Sequence, residues 1–399
     1  MASPEDIAYP LASSSWDGEE IIAMQKVIAS GQFTMGEHVA RFERDFAAYV
    51  GSTYCVMVNS GSSANLLMVA ALFYSKVHIL RRGDEVIVPA VSWPTTYYPL
   101  YQYGLKLKFV DIDSETLNFD LQQLKQAVTD KTRMIFAVNL LGNPNDFDEI
   151  RRIIGNQDIL LLEDNCESLG AEFNGRQAGT FGLMGSYSSF FSHHMSTMEG
   201  GMIVTDDEEL YHILLSLRSH GWTRHLPKHN KVCGTKGDDP FAESFRFVLP
   251  GYNVRPLELS GAIGSKQVEK LPKFIRVRRE NALRFRDVMQ AFPQLRIQRE
   301  TDKSSWFGYS MIIQKDAEFS RKQLVESLTR HGVECRPIVT GNFTKNEVVK
   351  FFDHSIHGEL RVADDIDQNG LFLGNHHYPL NKELAALRAA LNEVGANSA

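Results

Sequence analysis

Two adjacent histidines, His193 and His194, stand in the segment SYSSFFSHHMSTMEGG (residues 186–201), between a run rich in Ser and Phe and a Glu-Gly-Gly turn. An imidazole takes up and returns a proton near neutral pH, so such a pair suits acid–base work. A zinc site would need further ligands at suitable spacing, and none is apparent nearby. A satisfied polar pair is the plain alternative. A second segment, NSGSSANLL (residues 59–67), follows a strand-like run and precedes a helical one. Small residues there expose backbone N–H groups at the positive end of a helix dipole, which favours a phosphate held by Gly61, Ser62 and Ser63. An ordinary helix cap has the same appearance. A third position, Asp164, follows the apolar run 159–162 at the presumed C-terminal end of its strand, where ligands of α/β sheets gather. A carboxylate there either pairs with a protonated ring nitrogen and keeps a pyridine ring electron-poor, or serves as a structural cap.

These residues need a scaffold of strands that end together. Short apolar runs at 85–88, 106–110, 134–138, 159–162, 186–190 and 202–205 alternate with helix-like stretches such as 120–127 and 146–154. Several runs are continuous Val/Ile/Leu/Phe rather than alternating, which predicts strands buried on both faces of a mostly parallel sheet. The expected fold class is therefore α/β, with helices flanking the sheet. After Pro256 the texture changes: residues 257–271 and 274–292 read as consecutive helices, then strands near 306–313 and 333–338, and helices near 321–330 and 382–394. That pattern suits a smaller C-terminal α+β domain, giving expected domains of 1–265 and 266–399, with the boundary near 265–275.

Composition removes several function classes. A chain of 399 residues with 43% hydrophobic and 23% charged residues has room for two or three domain-sized cores. A net charge of -7 disfavours non-specific nucleic-acid binding, which needs a basic surface. The start MASPEDIAYP lacks an apolar signal-peptide core, and the apolar runs are too short to span a bilayer, so a cytoplasmic protein is expected. Cys55, Cys166, Cys233 and Cys335 are scattered, which disfavours a disulfide framework, a metal site and an iron–sulfur cluster.

Taken together, the phosphate turn at Gly61–Ser63, Trp93 in PAVSWPTT, Glu163-Asp164, the 188–193 strand end, Glu199-Gly200-Gly201, and Gly251-Tyr252-Asn253 with Arg255 resemble the sugar-nucleotide branch of the fold-type-I, aspartate-aminotransferase-like pyridoxal-phosphate (PLP) enzymes. Aminotransferases of that family carry a lysine five residues after the phosphate-binding serine and six before the Glu-Gly-Gly glutamate. Counting from Ser188 and back from Glu199 both land on His193, and no lysine stands between Lys131 and Lys228. A His-His version of the motif is similar to the sugar 3-dehydratases, and the scattered cysteines favour the kind that needs no iron–sulfur cluster. The segments SHGWTR (219–224) and ECRPIVT (334–340) share that resemblance.

The resemblance implies pyridoxal 5'-phosphate and its amine form, pyridoxamine 5'-phosphate, as cofactors and L-glutamate as amino donor. It implies GDP-4-keto-6-deoxy-D-mannose as substrate, losing its C3 hydroxyl on the way to colitose, a dideoxysugar of lipopolysaccharide O-antigen. His193 would be the base; unlike lysine, it cannot form an imine with the cofactor aldehyde. Asp164 would pair with the ring nitrogen, Gly61, Ser62 and Ser188 would hold the phosphate, and Trp93 would stack on the ring. Glu167 would bond a cofactor substituent or be a solvated helix residue. Asn253 would reach the phosphate from the partner subunit of a homodimer with shared active sites. Arg224 and Phe245 would cross the same interface toward cofactor or sugar. His220 would assist the leaving hydroxyl or be structural, and His194 is the rival base. Other readings are a cluster-dependent dehydratase acting on a CDP-sugar, a sugar-nucleotide aminotransferase, and a non-catalytic nucleotide-sugar-binding paralogue.

Overall fold

Uninterrupted Val, Ile, Leu and Phe strands are stable only where helices cover both faces of their sheet. In the computed structural model, which describes residues 7–396, that is how the central strands are used. In chain order the strands of the two larger sheets are β1 (Tyr54–Val58), β2 (Glu85–Pro89), β3 (Lys106–Val110), β4 (Thr132–Val138), β5 (Leu160–Asp164), β6 (Met184–Ser188), β7 (Gly201–Thr205), β8 (Leu295–Arg296), β9 (Gly308–Ile313), β10 (His354–Ile356) and β11 (Gly370–Gly374). The main sheet has the order β1-β7-β6-β5-β4-β2-β3-β10. Its β10, β3, β2, β4, β5 and β6 pair in parallel, while β7 is antiparallel to β6 and β1. Val86 and Val88 pack on one face with Phe136, Leu162 and Leu67; Ile87, Ile135 and Leu161 pack on the other with Phe147 and Ile150. The α/β class expected from the sequence is the fold observed.

The expected strands at 85–88, 106–110, 134–138, 159–162 and 202–205 are present with small shifts at their ends. The run placed at 186–190 is displaced: β6 ends at Ser188, whose hydroxyl accepts the amide of Phe190 at 3.2 Å and turns the chain out of the sheet. The segment 333–338 forms no strand. Val333 bridges Tyr9 and Arg336 bridges Phe372, so its two ends serve different partners and no ladder develops.

The two helices expected at 257–271 and 274–292 are one, α3 (Glu258–Met289), introduced with α1 (Gly61–Leu72) and α2 (Pro94–Gln102). Pro272 costs that helix a hydrogen bond. Burial of Leu271, Phe274 and Ile275 on either side outweighs the break, because both halves are packed into a core. The first half of α3 lies against the helix Glu37–Val50 through Val268 and Leu271. Its second half places Phe285, Val288 and Met289 in a separate core with the antiparallel sheet β8-β9-β11 and the helices Arg321–Arg330 and Asn381–Ala396. The C-terminal part also returns β10 to the edge of the main sheet, beside β3.

Glu258 ties these parts together. The helix Glu37–Val50 begins at Gly36, which has no side chain to cap it. The Glu258 carboxylate, 2% exposed, accepts the amides of Gly36 and His38 at 2.6 Å each and of Val39 at 3.3 Å. A charged acceptor at a helix N-terminus is favourable in itself. Replacing Glu258 by Ala removes the acceptor of three amides at that helix start, two of them only part-buried, so we expect a loss of about 1 kcal/mol in urea unfolding. An unchanged unfolding midpoint would refute this role.

Candidate active site

Parallel strands deliver their C-terminal ends to one edge, and the main sheet gathers its chemistry there. Asp164 ends β5 and Ser188 ends β6. The chain leaving β1 enters α1, and the chain leaving β2 reaches Trp93 and α2. Together they enclose a cavity of about 280 Å³. Gly61, Ser62, Trp93, Asp164, Glu167, Ser188 and His193 all line it.

One end of the cavity is the N-terminus of α1. Ser60 caps that helix, its hydroxyl accepting the Ser63 amide at 3.1 Å, so Ser63 is taken up by the cap while Gly61 and Ser62 face the cavity. The Ser62 hydroxyl donates to Thr95 at 3.1 Å. A Cβ at Gly61 would stand 2.8 Å from the Ser188 Cβ and 2.9 Å from the Cys166 sulfur, so only glycine lets the helix end approach β6 this closely. Hydroxyls and amides converging on a helix N-terminus are an anion cradle.

The floor is Asp164. Its Oδ2 accepts from Asn65 Nδ2 and Thr96 Oγ1, each at 2.7 Å, and its Oδ1 accepts the Cys166 amide at 3.1 Å. Asn65 and Thr96 were not singled out in the sequence; they lie one turn inside α1 and in the PAVSWPTT segment, where only the fold aims them at Asp164. Arg336 and Phe307 are further wall residues that the sequence did not mark. Arg336 sits in the ECRPIVT segment, a signal noticed without a role.

The walls are aromatic: Trp93, 56% exposed, at the mouth, with Phe190 and Phe307. His193 packs its ring edge against Phe307 at 5.1 Å and Phe190 at 5.9 Å. Its Nδ1 is buried with no hydrogen-bond partner, leaving Nε2 as the nitrogen open to the cavity. Burial, reinforced by the cations Arg336 and Arg278, holds the imidazole pKa down to about 3, so the ring is neutral and able to accept a proton. His194 points the other way. It is buried, its Nε2–H donates to the Ser305 carbonyl at 3.2 Å, and it does not line the cavity. Glu167 binds the Leu141 amide at 3.2 Å, and burial pushes its pKa up to about 7 despite that bond and Arg336.

The remaining expected residues form a second group. Trp222 is its centre, with His220 at 5.1 Å, Phe245 at 5.7 Å and the Arg224 guanidinium 4.6 Å above the indole. Arg255 joins it, donating to Asn253 at 2.9 Å. Phe245 is exposed, and none of His220, Arg224, Phe245 or Asn253 lines the cavity of its own chain.

Residues 15–390 match the DegT/DnrJ/EryC1/StrS aminotransferase family. The chain belongs to this family. Among curated members, GDP-4-keto-6-deoxy-D-mannose 3-dehydratase of Escherichia coli O55:H7 is 64% identical over 386 residues, 96% of this chain and 100% of that protein. A solved E. coli GDP-4-keto-6-deoxy-D-mannose-3-dehydratase with bound hydrated PLP superposes with a TM-score of 0.95 at 63% identity, covering 96% of this chain and 99% of that one. Another structure of the enzyme, with a trapped PLP-glutamate geminal diamine, gives the same score and identity over 96% and 100%. In this DegT/DnrJ/EryC1/StrS member the cavity fits a pyridine phosphate: an anion cradle at one end, a carboxylate floor, aromatic walls, and a histidine in the lining.

The Glu167 environment gives a pH test. Its carboxyl has a lower proton affinity unfolded than folded, so the folded state is favoured at low pH and loses that advantage as pH rises from about 4.5 through about 7. Glu167→Gln in the cofactor-free protein should flatten the fall of Tm across this window. An identical slope in both proteins would show that Glu167 ionises freely.

Proposed function

We propose that this chain removes the C3 hydroxyl of GDP-4-keto-6-deoxy-D-mannose, giving GDP-4-keto-3,6-dideoxy-D-mannose. Pyridoxal phosphate is the cofactor, glutamate restores its amine form, and ammonia is released. The observation that carries this reading is that His193, at the sequence position of the family lysine, lines the same cavity as Asp164 and the α1 cradle. The close similarity to enzymes of that name supports the substrate, and the glutamate-bound structure supports the amino donor.

When bound, the cofactor would supply an amine that joins the sugar's C4 carbonyl and a ring that holds the electron pair freed when the base takes a proton, then passes it toward the sugar as the C3 hydroxyl departs. The protein's part is to orient and to move protons. Gly61, Ser62 and Ser188 would hold the phosphate. Asp164, braced by Asn65 and Thr96, would face the ring nitrogen and favour its protonated form. Trp93 would cover one ring face and exclude water, and Glu167 would bond a ring substituent. His193 would accept a proton at Nε2 and return it; a neutral imidazole in a buried wall is ready for the first step. Asn253, Arg224 and Phe245, which do not line their own cavity, would serve a partner's cavity in a homodimer, with His220 beside them. The division into domains at residue 265 would separate the cofactor-binding part from the C-terminal part. The setting we propose is cytoplasmic colitose synthesis for O-antigen lipopolysaccharide; no helix among the described residues is long and apolar enough to cross a membrane.

Mass spectrometry of GDP-4-keto-6-deoxy-D-mannose incubated with enzyme, pyridoxal phosphate and glutamate tests the reaction. A nucleotide sugar one oxygen lighter, with ammonia and 2-oxoglutarate released, is the expected result. An added amine with the C3 oxygen retained would make the protein an aminotransferase. His193→Lys tests the base separately: borohydride should then fix the cofactor to the protein, and dehydration should fall by about 100-fold or more. A variant that dehydrates at the parent rate without that covalent bond would remove His193 from the mechanism.

A further inference from the structure

Catalytic histidines are normally oriented by a hydrogen bond on the ring nitrogen that faces away from the reaction. His193 has none: its Nδ1 is buried and unpartnered, so its orientation must come from packing. Two rings touch it, but Phe190 is 42% exposed, whereas Phe307 is 5% exposed and lies closer.

Phe307 is held by an unusual backbone clasp. Residues 305–307 lie against residues 141–142, the Ser305 amide donating to the Gly142 carbonyl at 2.9 Å and the Phe307 amide to the Leu141 carbonyl at 3.0 Å. Both sides are in left-handed backbone: Leu141 has φ 55°, Gly142 φ 96° and Trp306 φ 48°. Two non-glycine residues facing each other in that region persist only where their surroundings over-determine them, and such strain gathers at functional sites. The surroundings here are specific. The Leu141 amide is taken by Glu167 at 3.2 Å and the Gly142 amide by Ser168 at 3.1 Å. The Trp306 indole donates to Glu300 at 2.8 Å. From behind, Arg278 is buried and donates through Nη1 to the carbonyls of Phe307 at 3.2 Å and Asn375 at 2.8 Å. The same segment also holds His194, through the Ser305 carbonyl.

We propose that Phe307, fixed by this clasp, is the positioning residue for the His193 imidazole, doing by ring-edge packing what a hydrogen-bonded carboxylate does for other catalytic histidines. The inference rests on His193 being the base. The clasp further links the cavity-facing Glu167 to His193 through Leu141 and Phe307, so one wall of the site carries both groups.

The test uses the holoenzyme. Phe307→Leu keeps apolar bulk in the clasp and removes the ring edge. We expect kcat for dehydration to fall by about 10- to 100-fold, the scale of a misplaced catalytic group, with sugar KM and cofactor affinity unchanged. Gly142→Ala should do the same from outside the cavity, because its Cβ would meet the Trp306 and Phe307 nitrogens at 2.5 and 2.7 Å. A loosened imidazole is better hydrated, so the acid limb of the kcat–pH profile should move up. The charged and titratable groups around it stay in place: Arg336, Glu167, Asp164, Cys166 and Glu199 on the cavity side, Arg278 and His194 behind. An unchanged kcat in Phe307→Leu overturns the proposal. So does a parallel loss of kcat and cofactor affinity, which would make Phe307 an ordinary wall. His193→Asn, assayed alongside, separates the two ideas. If it retains activity, the base itself is misassigned; if it is inactive while Phe307→Leu is fast, only the positioning role falls.

Discussion

Asp164 accepts three hydrogen bonds from three different pieces of chain, and the shape of the site depends on that meeting. Asn65 comes from α1, Thr96 from α2, and the Cys166 amide from the turn after β5. A carboxylate satisfied in this way draws the start of each helix to the end of β5. The α1 terminus therefore falls beside Ser188, and Trp93, at the start of α2, falls at the mouth. The cradle and the floor of the cavity are two consequences of one buried acceptor. Moving either side-chain donor, Asn65 or Thr96, would shift the helix that carries it, since both side chains are too short to compensate.

His193 as the proposed base, in place of a lysine, would change the electrostatic requirement as well as the chemistry. A lysine must be desolvated to become a base, whereas an imidazole in the same wall is already neutral. Burial beside Arg336 and Arg278 takes this further than catalysis alone would need, because a ring with so low a pKa is a weak base in the ligand-free cavity. A bound phosphate and a charged substrate bring negative charge into the cavity, which raises the proton affinity of every group around it.

Much of this was legible in the sequence, for reasons that particular residues explain. The buried strands were readable because a sheet covered on both faces demands continuous apolar runs, as in Met134 to Val138. The turn before α1 was readable because small residues between a strand and a helix leave backbone N–H groups exposed. Asn65 and Thr96 were not, since their contact with Asp164 spans 99 and 68 residues and no local pattern encodes it. Pro272 was misread as a helix break because its cost is local while the packing of Leu271 and Phe274 that overrides it is not. The strand expected at 333–338 failed for the converse reason: its propensity was right, but Tyr9 and Phe372 divide it between two partners.

The C-terminal part is bound to the sheet that carries the cofactor end of the site at three kinds of place. The continuous α3 passes between the two cores, β10 returns to the main sheet, and the 305–307 clasp closes on residues 141–142. Arg278 belongs to the first and braces the third, so the helix that joins the cores also holds the wall of the cavity. A buried guanidinium bonded only to carbonyls is costly unless its geometry is fixed on every side. Here Nη1 alone takes three carbonyls, those of residues 306 and 307 before β9 and of residue 375 after β11, while Nε is buried without a partner. That expense is understandable if the position of those strand ends matters to the cavity, to which Phe307 and Arg336 contribute lining. The cavity is thus built jointly by both cores, and its two walls owe their spacing to backbone that neither core could fix alone.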